Sequence, residues 1–103
     1  MGIYNTVHAT VACPRCGVLG EVEIEVRTGN TSQMANLHIG DKYPWVARIP
    51  PKNGGRPDGG NVDGDGYMEC EFCHKDSFMR IIIREDIIVG VEPDYGKRGY
   101  ISN

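Results

Sequence analysis

Apolar and polar residues alternate with a period of two along much of this chain, the pattern of strands half buried against a core. In TVHATVAC, Val7, Ala9 and Val11 face one way and Thr6, His8 and Thr10 the other; in EVEIEVR, Val22, Ile24 and Val26 oppose Glu21, Glu23, Glu25 and Arg27. These two segments are predicted to pair antiparallel and to end at the RTGNT turn of residues 27–31. Further on, SFMRIIIREDIIVGVEP predicts strands over 78–84 and 87–92 joined at Glu85 and Asp86. Met79, Ile81 and Ile83 share one face of the first of these, and Phe78, Arg80, Ile82 and Arg84 the other. A short strand through GYMEC completes a second hairpin unit.

The middle of the chain is less regular. Ala35, Leu37 and Ile39 alternate with Met34, Asn36 and His38, and Gly40 and Pro44 leave too few residues for a stable helix, so a brief strand extending the first sheet is predicted. Tyr43 and Trp45 flank Pro44 and are expected in the core or at its edge, because the only tryptophan of a small domain is usually needed there. Residues 50–66, PPKNGGRPDGGNVDGDG, hold six glycines, three prolines and one aliphatic side chain, Val62, and read as a flexible loop. Within it Asn61, Asp63, Asp65 and Gly66 imitate the opening of a calcium-binding EF-hand loop, but Phe72 stands where the final glutamate belongs and no helices flank it. Arg48, Lys52 and Arg56 give this region basic side chains with which to reach a partner. The polar, glycine-containing stretch over 94–103 is expected to be a mobile tail.

Composition narrows the class. The 103 residues fit a single domain. The hydrophobic share of 40% is low against a usual value of about 45–50%, which predicts a small core that would gain from a covalent or metal staple. There is no basic start followed by an apolar leader and no apolar run approaching about 18 residues, so a cytoplasmic chain with no membrane partner is expected. A net charge of −3 and a pI near 5.5 disfavour nucleic acid, whose binders carry a basic face and a pI above about 9. Basic residues gather at 42–56 and acidic ones at 58–71, leaving local patches of opposite sign. His8, His38 and His74 are scattered and the carboxylates sit on solvated strand faces or in the glycine loop, so no enzyme is predicted. His8 itself reads as a solvated strand residue.

All four cysteines lie in two C-x-x-C pairs, CPRC at 13–16 and CEFC at 70–73. In a reducing compartment such pairs are metal sites or redox centres more often than disulfides. A thioredoxin-like dithiol needs one pair at the start of a helix, and a nucleophilic cysteine needs a neighbouring base; the sequence shows neither arrangement. Two tight turns can aim four sulfurs at one ion, so Cys13, Cys16, Cys70 and Cys73 are predicted to form a tetrathiolate shell for structural Zn²⁺, with Zn–S near about 2.3 Å. Pro14 presets the first turn and Gly17 can take the positive φ that follows its second cysteine. His74 holds the matching place in CEFCHKDS, and histidine is among the non-glycine residues that tolerate it. With four thiolates filling the shell, His74 reads as a turn residue or a group just outside the ligands, and not as a ligand itself.

With these two knuckles the chain resembles the zinc ribbon class, and small uncharacterised bacterial zinc ribbon proteins in particular. The resemblance rests on residues 13–17, 70–73 and the strands around them, and does not reach the middle of the chain. It implies a mostly β fold: a zinc ribbon with two antiparallel β-hairpin units joined at a four-cysteine metal site. It implies no particular activity, because the same staple serves many roles. The expected function is a zinc-stabilised, non-enzymatic interaction module that binds another protein, with the Trp45 region and the glycine loop as contact surfaces. A nucleic-acid-binding zinc ribbon regulator is the alternative. A rubredoxin-like iron electron carrier ranks lower, because there both knuckles carry proline and glycine, whereas the second here reads CEFCHK. An exposed edge strand would also give a second copy of the chain a place to pair as a homodimer.

Overall fold

The alternating segments become six β-strands in the computed structural model of the chain, which describes residues 4–94. They are β1 (Asn5–Ala12), β2 (Leu19–Val26), β3 (Asn36–His38), β4 (Val62–Glu69), β5 (Asp76–Arg84) and β6 (Ile87–Pro93). Helical structure among the described residues is confined to single 3₁₀ turns at Pro51–Asn53 and Asp58–Gly60, and none is long and apolar enough to cross a membrane. The period-two reading holds side chain by side chain: Val7, Ile24, Val26, Met68, Met79, Ile81, Ile83 and Ile88 are buried on one face, while Glu23, Asp63, Asp65 and Glu69 stand exposed on the other.

The sheet runs in the order β3-β1-β2-β4-β5-β6. β1 and β2 pair antiparallel from Asn5↔Val26 to Ala12↔Leu19, and β4 and β5 from Val62↔Ile83 to Glu69↔Asp76. The short strand β3 lies parallel to β1 through Leu37↔Val7, extending the first hairpin as its alternation predicts. The two hairpins are one sheet and not separate units, because β2 joins β4 through Glu25↔Tyr67 and Val26↔Gly66. Glycine makes this junction sterically available. A Cβ on Gly66 would sit 2.6 Å from Ile24 Cγ2 and 3.5 Å from Ile81 Cδ1, so the β4 backbone fits only because those side chains occupy the space a larger residue would need.

That junction revises the reading of residues 50–66 as a flexible loop. Val62 to Gly66 belong to β4, and the loop proper ends at 61. Glycine and proline content signalled a segment unable to bury itself, yet Gly55, Gly60, Gly64 and Gly66 are all buried, since a bare backbone can be covered by neighbours' side chains. The acidic residues in this stretch do not converge as calcium ligands: Asp63 points outward to Arg84 at 2.9 Å, and Asp65 stands across from Arg80.

At the end of the sheet away from the cysteines, the chain after β3 folds onto the start of β6. Gly40 N donates to Ile88 O at 2.7 Å, Ile88 N to Asp41 O at 3.0 Å, and Tyr43 N to Asp86 O at 2.6 Å. The two outer strands are thereby tied together and the sheet curls around its apolar face. Tyr43 is buried in the core, its hydroxyl donating to Thr28 O at 2.6 Å, and Trp45 tilts against it at the core edge. The buried Asn5, which no local pattern singles out, donates to Asn30 O and accepts from Ala35 N, both at 3.0 Å, pinning the 28–35 connection.

The β5–β6 turn falls at Glu85 and Asp86 as predicted, with φ of 50° and 69°, the left-handed pair that matches the twist of a hairpin. Asp86 also anchors the glycine-rich loop: its carboxylate accepts from Arg56 Nε at 2.7 Å and Trp45 Nε1 at 2.9 Å, and its amide donates to Gly60 O at 3.0 Å. The expected mobile tail over 94–103 lies outside the described residues except for Asp94, whose amide donates to Phe78 O at 2.9 Å.

Two outcomes follow. Gly66→Ala should destabilise the domain by about 1–3 kcal/mol through overpacking against Ile24, read as a fall of several degrees in the melting temperature; an unchanged melt contradicts the close β2–β4 approach. The Arg56 guanidinium beside Asp86, aided by the Trp45 indole, holds its carboxyl below the usual carboxylate range. A depressed folded-state value means this contact is fully present above about pH 4 and is lost as pH falls through the lowered value. Trp45 fluorescence should therefore report a transition below pH 4, and Arg56→Ala should move that transition upward.

Candidate metal centre

Each C-x-x-C pair occupies the turn of one hairpin, the first between β1 and β2 and the second between β4 and β5. The two turns have matching backbone geometry. In the first, Gly17 N donates to Cys13 O at 2.8 Å and Cys13 N to Val18 O at 3.0 Å; in the second, His74 N donates to Cys70 O and Cys70 N to Lys75 O, both at 2.9 Å. Gly17 has φ of 79° and His74 φ of 59°, so histidine takes the left-handed position that glycine takes in the first turn. His74 is exposed there and is outside the cluster of candidate ligands, as its reading as a turn residue requires.

The four sulfurs come together at the hairpin tips. All lie within 4.8 Å of one another, with Cys13 Sγ 3.8 Å from Cys73 Sγ and Cys16 Sγ 3.8 Å from Cys70 Sγ. A disulfide needs about 2.05 Å, so these are free thiols. The edges of a tetrahedron with a metal–sulfur distance of about 2.3 Å measure about 3.8 Å. The spacing therefore suits one ion held by all four. Cys13 and Cys70 are buried, Cys73 half-buried and Cys16 exposed.

The local field favours thiolate at Cys13 and opposes it at Cys16. Burial pushes the Cys13 thiol up, but the Arg15 and Cys16 amides and the sulfurs of Cys16 and Cys70 outweigh it and bring it down to about 7. Arg15 N donates directly to Cys13 Sγ at 3.4 Å. At Cys16 the Val18 amide favours the thiolate, yet burial and the three neighbouring sulfurs prevail and push it up to about 12. A metal ion held by the four sulfurs would displace the protons of their thiols.

A second link between the knuckles is polar, and the sequence reading missed it. Arg15, the third residue of CPRC, reaches across to Asp76 at the start of β5, with Nη1 2.9 Å from the Asp76 carbonyl oxygen and 3.6 Å from its carboxylate. Tyr67 donates its hydroxyl to the same carboxylate at 2.8 Å. Asp76 is fully buried, and a carboxylate so placed needs such partners. The Tyr67 hydroxyl is in turn pushed up to about 12, by burial first, then by its bond to Asp76 and by the charges of Asp76, Glu69 and Glu25. The signal available in the sequence was an aspartate three residues beyond the second pair, but nothing local distinguished it from a solvated one. Phe72 adds an apolar contact across the tips, its ring edge lying over Gly20, where a Cβ would be 3.2 Å from Cε2.

The histidines do not join this centre. His8 stacks on His38 with ring centroids 5.1 Å apart, donates from Nε2 to Asn36 Oδ1 at 3.1 Å and lies 3.9 Å from Glu23. It keeps its place on the polar face but is half-buried by these neighbours, more enclosed than a solvated strand residue.

The described fold and site define a mostly β protein with a curled six-stranded sheet and four cysteines placed to hold a metal ion. Comparison of the chain with protein-family models, curated proteins and solved structures finds no match.

Breaking the polar link should weaken the centre. Arg15→Ala leaves the buried Asp76 carboxylate without its cationic neighbour and should cost about 3 kcal/mol, while lowering metal affinity about tenfold or more. Thermal melts and chelator competition measure the two effects; no change in either would show the link to be incidental.

Proposed function

We propose that the chain is a zinc-stabilised, non-enzymatic interaction module of the zinc ribbon kind, in which Cys13, Cys16, Cys70 and Cys73 hold structural Zn²⁺ and the sheet presents a surface to another protein. The observation that carries this reading is the sulfur quartet at tetrahedral spacing on two equivalent turns. Four thiolates make a closed shell with no open position for substrate, the arrangement of structural and not catalytic zinc. The sulfurs cluster with one another, and the buried Asp76 at the start of β5 is engaged by Arg15 and Tyr67, which supports a role in stability over reactivity.

The size of the effect agrees. Structural zinc supplies about 10–16 kcal/mol of apparent binding free energy, against a net stability of about 5–15 kcal/mol for an ordinary domain. Besides the sulfurs, the hairpin tips are held by the Arg15–Asp76 link and the Phe72 ring over Gly20, since the β2–β4 ladder covers only Glu25 and Val26 of β2.

The surroundings of the centre bear on the alternatives. Glu21, Glu23, Glu25, Glu69 and Glu71 line the cleft beside the cysteines, a field that repels phosphate and so supports a protein partner over nucleic acid. Iron is the other metal an all-sulfur shell accepts. His74 stands at the left-handed position where a rubredoxin-like second knuckle carries glycine, which keeps the iron electron carrier as the lower alternative.

Metal analysis of the untreated protein tests the proposal: about one zinc ion per chain and no visible absorption are expected. Cys16→Ser or chelation should lower the melting temperature by more than about 10 °C. A coloured, iron-bearing protein would select the electron carrier, and a metal-free protein with an unchanged melt in the mutant would refute a structural site.

A further inference from the structure

β2 and β4 are joined at one end by the two ladder pairs Glu25↔Tyr67 and Val26↔Gly66 and at the other by the cysteine tips. Between these fastenings the strands part. The ladder stops after Glu25, leaving residues 19–24 of β2 and Met68 and Glu69 of β4 facing each other without pairing. A cleft of about 580 Å³ fills the gap, reaching Cys13, Cys70, Val22 and Met68 at its floor. Everywhere else in the two hairpins the ladders are continuous over eight pairs each, so this interruption is local to the metal-bearing end.

We propose that this cleft is a docking site for an extended, lysine- or arginine-rich segment of a partner protein, which would lie along the unpaired edge of β2. The proposal rests on the interaction-module reading and names the partner's chemistry. Three features carry it. An unpaired strand edge offers main-chain hydrogen bonds to an extended peptide, and residues 19–24 of β2 provide about 20 Å of it. The walls are acidic: Glu21, Glu23, Glu25, Glu69 and Glu71 all line the cleft. Among the described residues, only Glu23 of these has an ion-pair partner, His8 at 3.9 Å. At the rim Phe72 is 57% exposed and Val18 41% exposed, giving a ring face for a guanidinium and apolar surface for a lysine stem.

The same charge selects among occupants. A second copy of the chain would bring one set of glutamates against another, so homodimer pairing through this edge is opposed. Cationic side chains at alternate positions of an extended segment would meet the glutamates that alternate along β2, at positions 21, 23 and 25.

A short fluorescein-labelled peptide of alternating lysine and threonine, with its glutamate and threonine counterpart as control, tests this against the metal-loaded protein by fluorescence anisotropy. The lysine peptide should bind, the control should not, and hydrogen exchange should slow over residues 19–24 and 68–71. Glu23→Lys with Glu69→Lys should weaken binding about tenfold or more. Asp58→Lys with Glu85→Lys, the same charge change at the opposite end of the sheet, should weaken it far less. Milder Glu21→Gln with Glu71→Gln covers the case in which the charge reversal misfolds. Absent binding, equal loss in both reversed variants, or protection elsewhere would overturn the proposal. Metal content and melting temperature of the same samples report on the underlying reading: stoichiometric metal with a normal melt and no peptide binding refutes the cleft alone.

Discussion

Convergence of four sulfurs at the tips of two hairpins is the constraint on which the metal-bearing half of this molecule depends. β2 and β4 are hydrogen-bonded only near Glu25 and Val26, and beyond that point they diverge. A small sheet with few buried side chains near its tips has little hydrophobic free energy with which to close them. The knuckles solve this with geometry. Each turn carries one cysteine on either side of a two-residue step and one left-handed residue just after, and two such turns set the sulfurs at the edge length of a tetrahedron.

The polar contacts around the centre are arranged to support negative sulfur. Arg15 contributes twice, its amide donating to Cys13 Sγ and its guanidinium reaching the buried Asp76. Tyr67 completes the coordination of that carboxylate and lies at the edge of the acidic cleft. The consequence is a centre whose charge is compensated on the Arg15 side and left uncompensated on the glutamate side, so the molecule's field is directional although its net charge is only −3.

The opposite end is closed by different means. Tyr43 and Asp86 draw the chain after β3 onto the start of β6, Asp86 ties in the glycine-rich loop and Trp45, and Asn5 holds the connection before β3. This is hydrogen bonding to backbone by buried or half-buried side chains, the usual way an irregular segment becomes part of a fold. Apolar packing of Ile81, Ile83, Ile88 and Leu37 fills the space between.

Local order was legible in the sequence because it depends on local rules. Period-two alternation placed β1, β2 and β5 with their inward faces, the strand pattern put the β5–β6 joint at Glu85 and Asp86, the C-x-x-C spacing identified the four sulfurs, and turn chemistry located the left-handed Gly17 and His74. Tertiary structure alone decided the rest. That Val62 to Gly66 form a strand depends on Ile24 and Thr28 filling the space above bare glycine backbone, a contact between segments far apart in the chain. The burial of Asp76 beneath Arg15, and the gathering of glutamates from β2 and β4 around one cleft, likewise exist only once two hairpins are laid side by side. A residue's own periodicity tells which face it takes; what stands opposite that face is set by the register of strands that the sequence does not make neighbours.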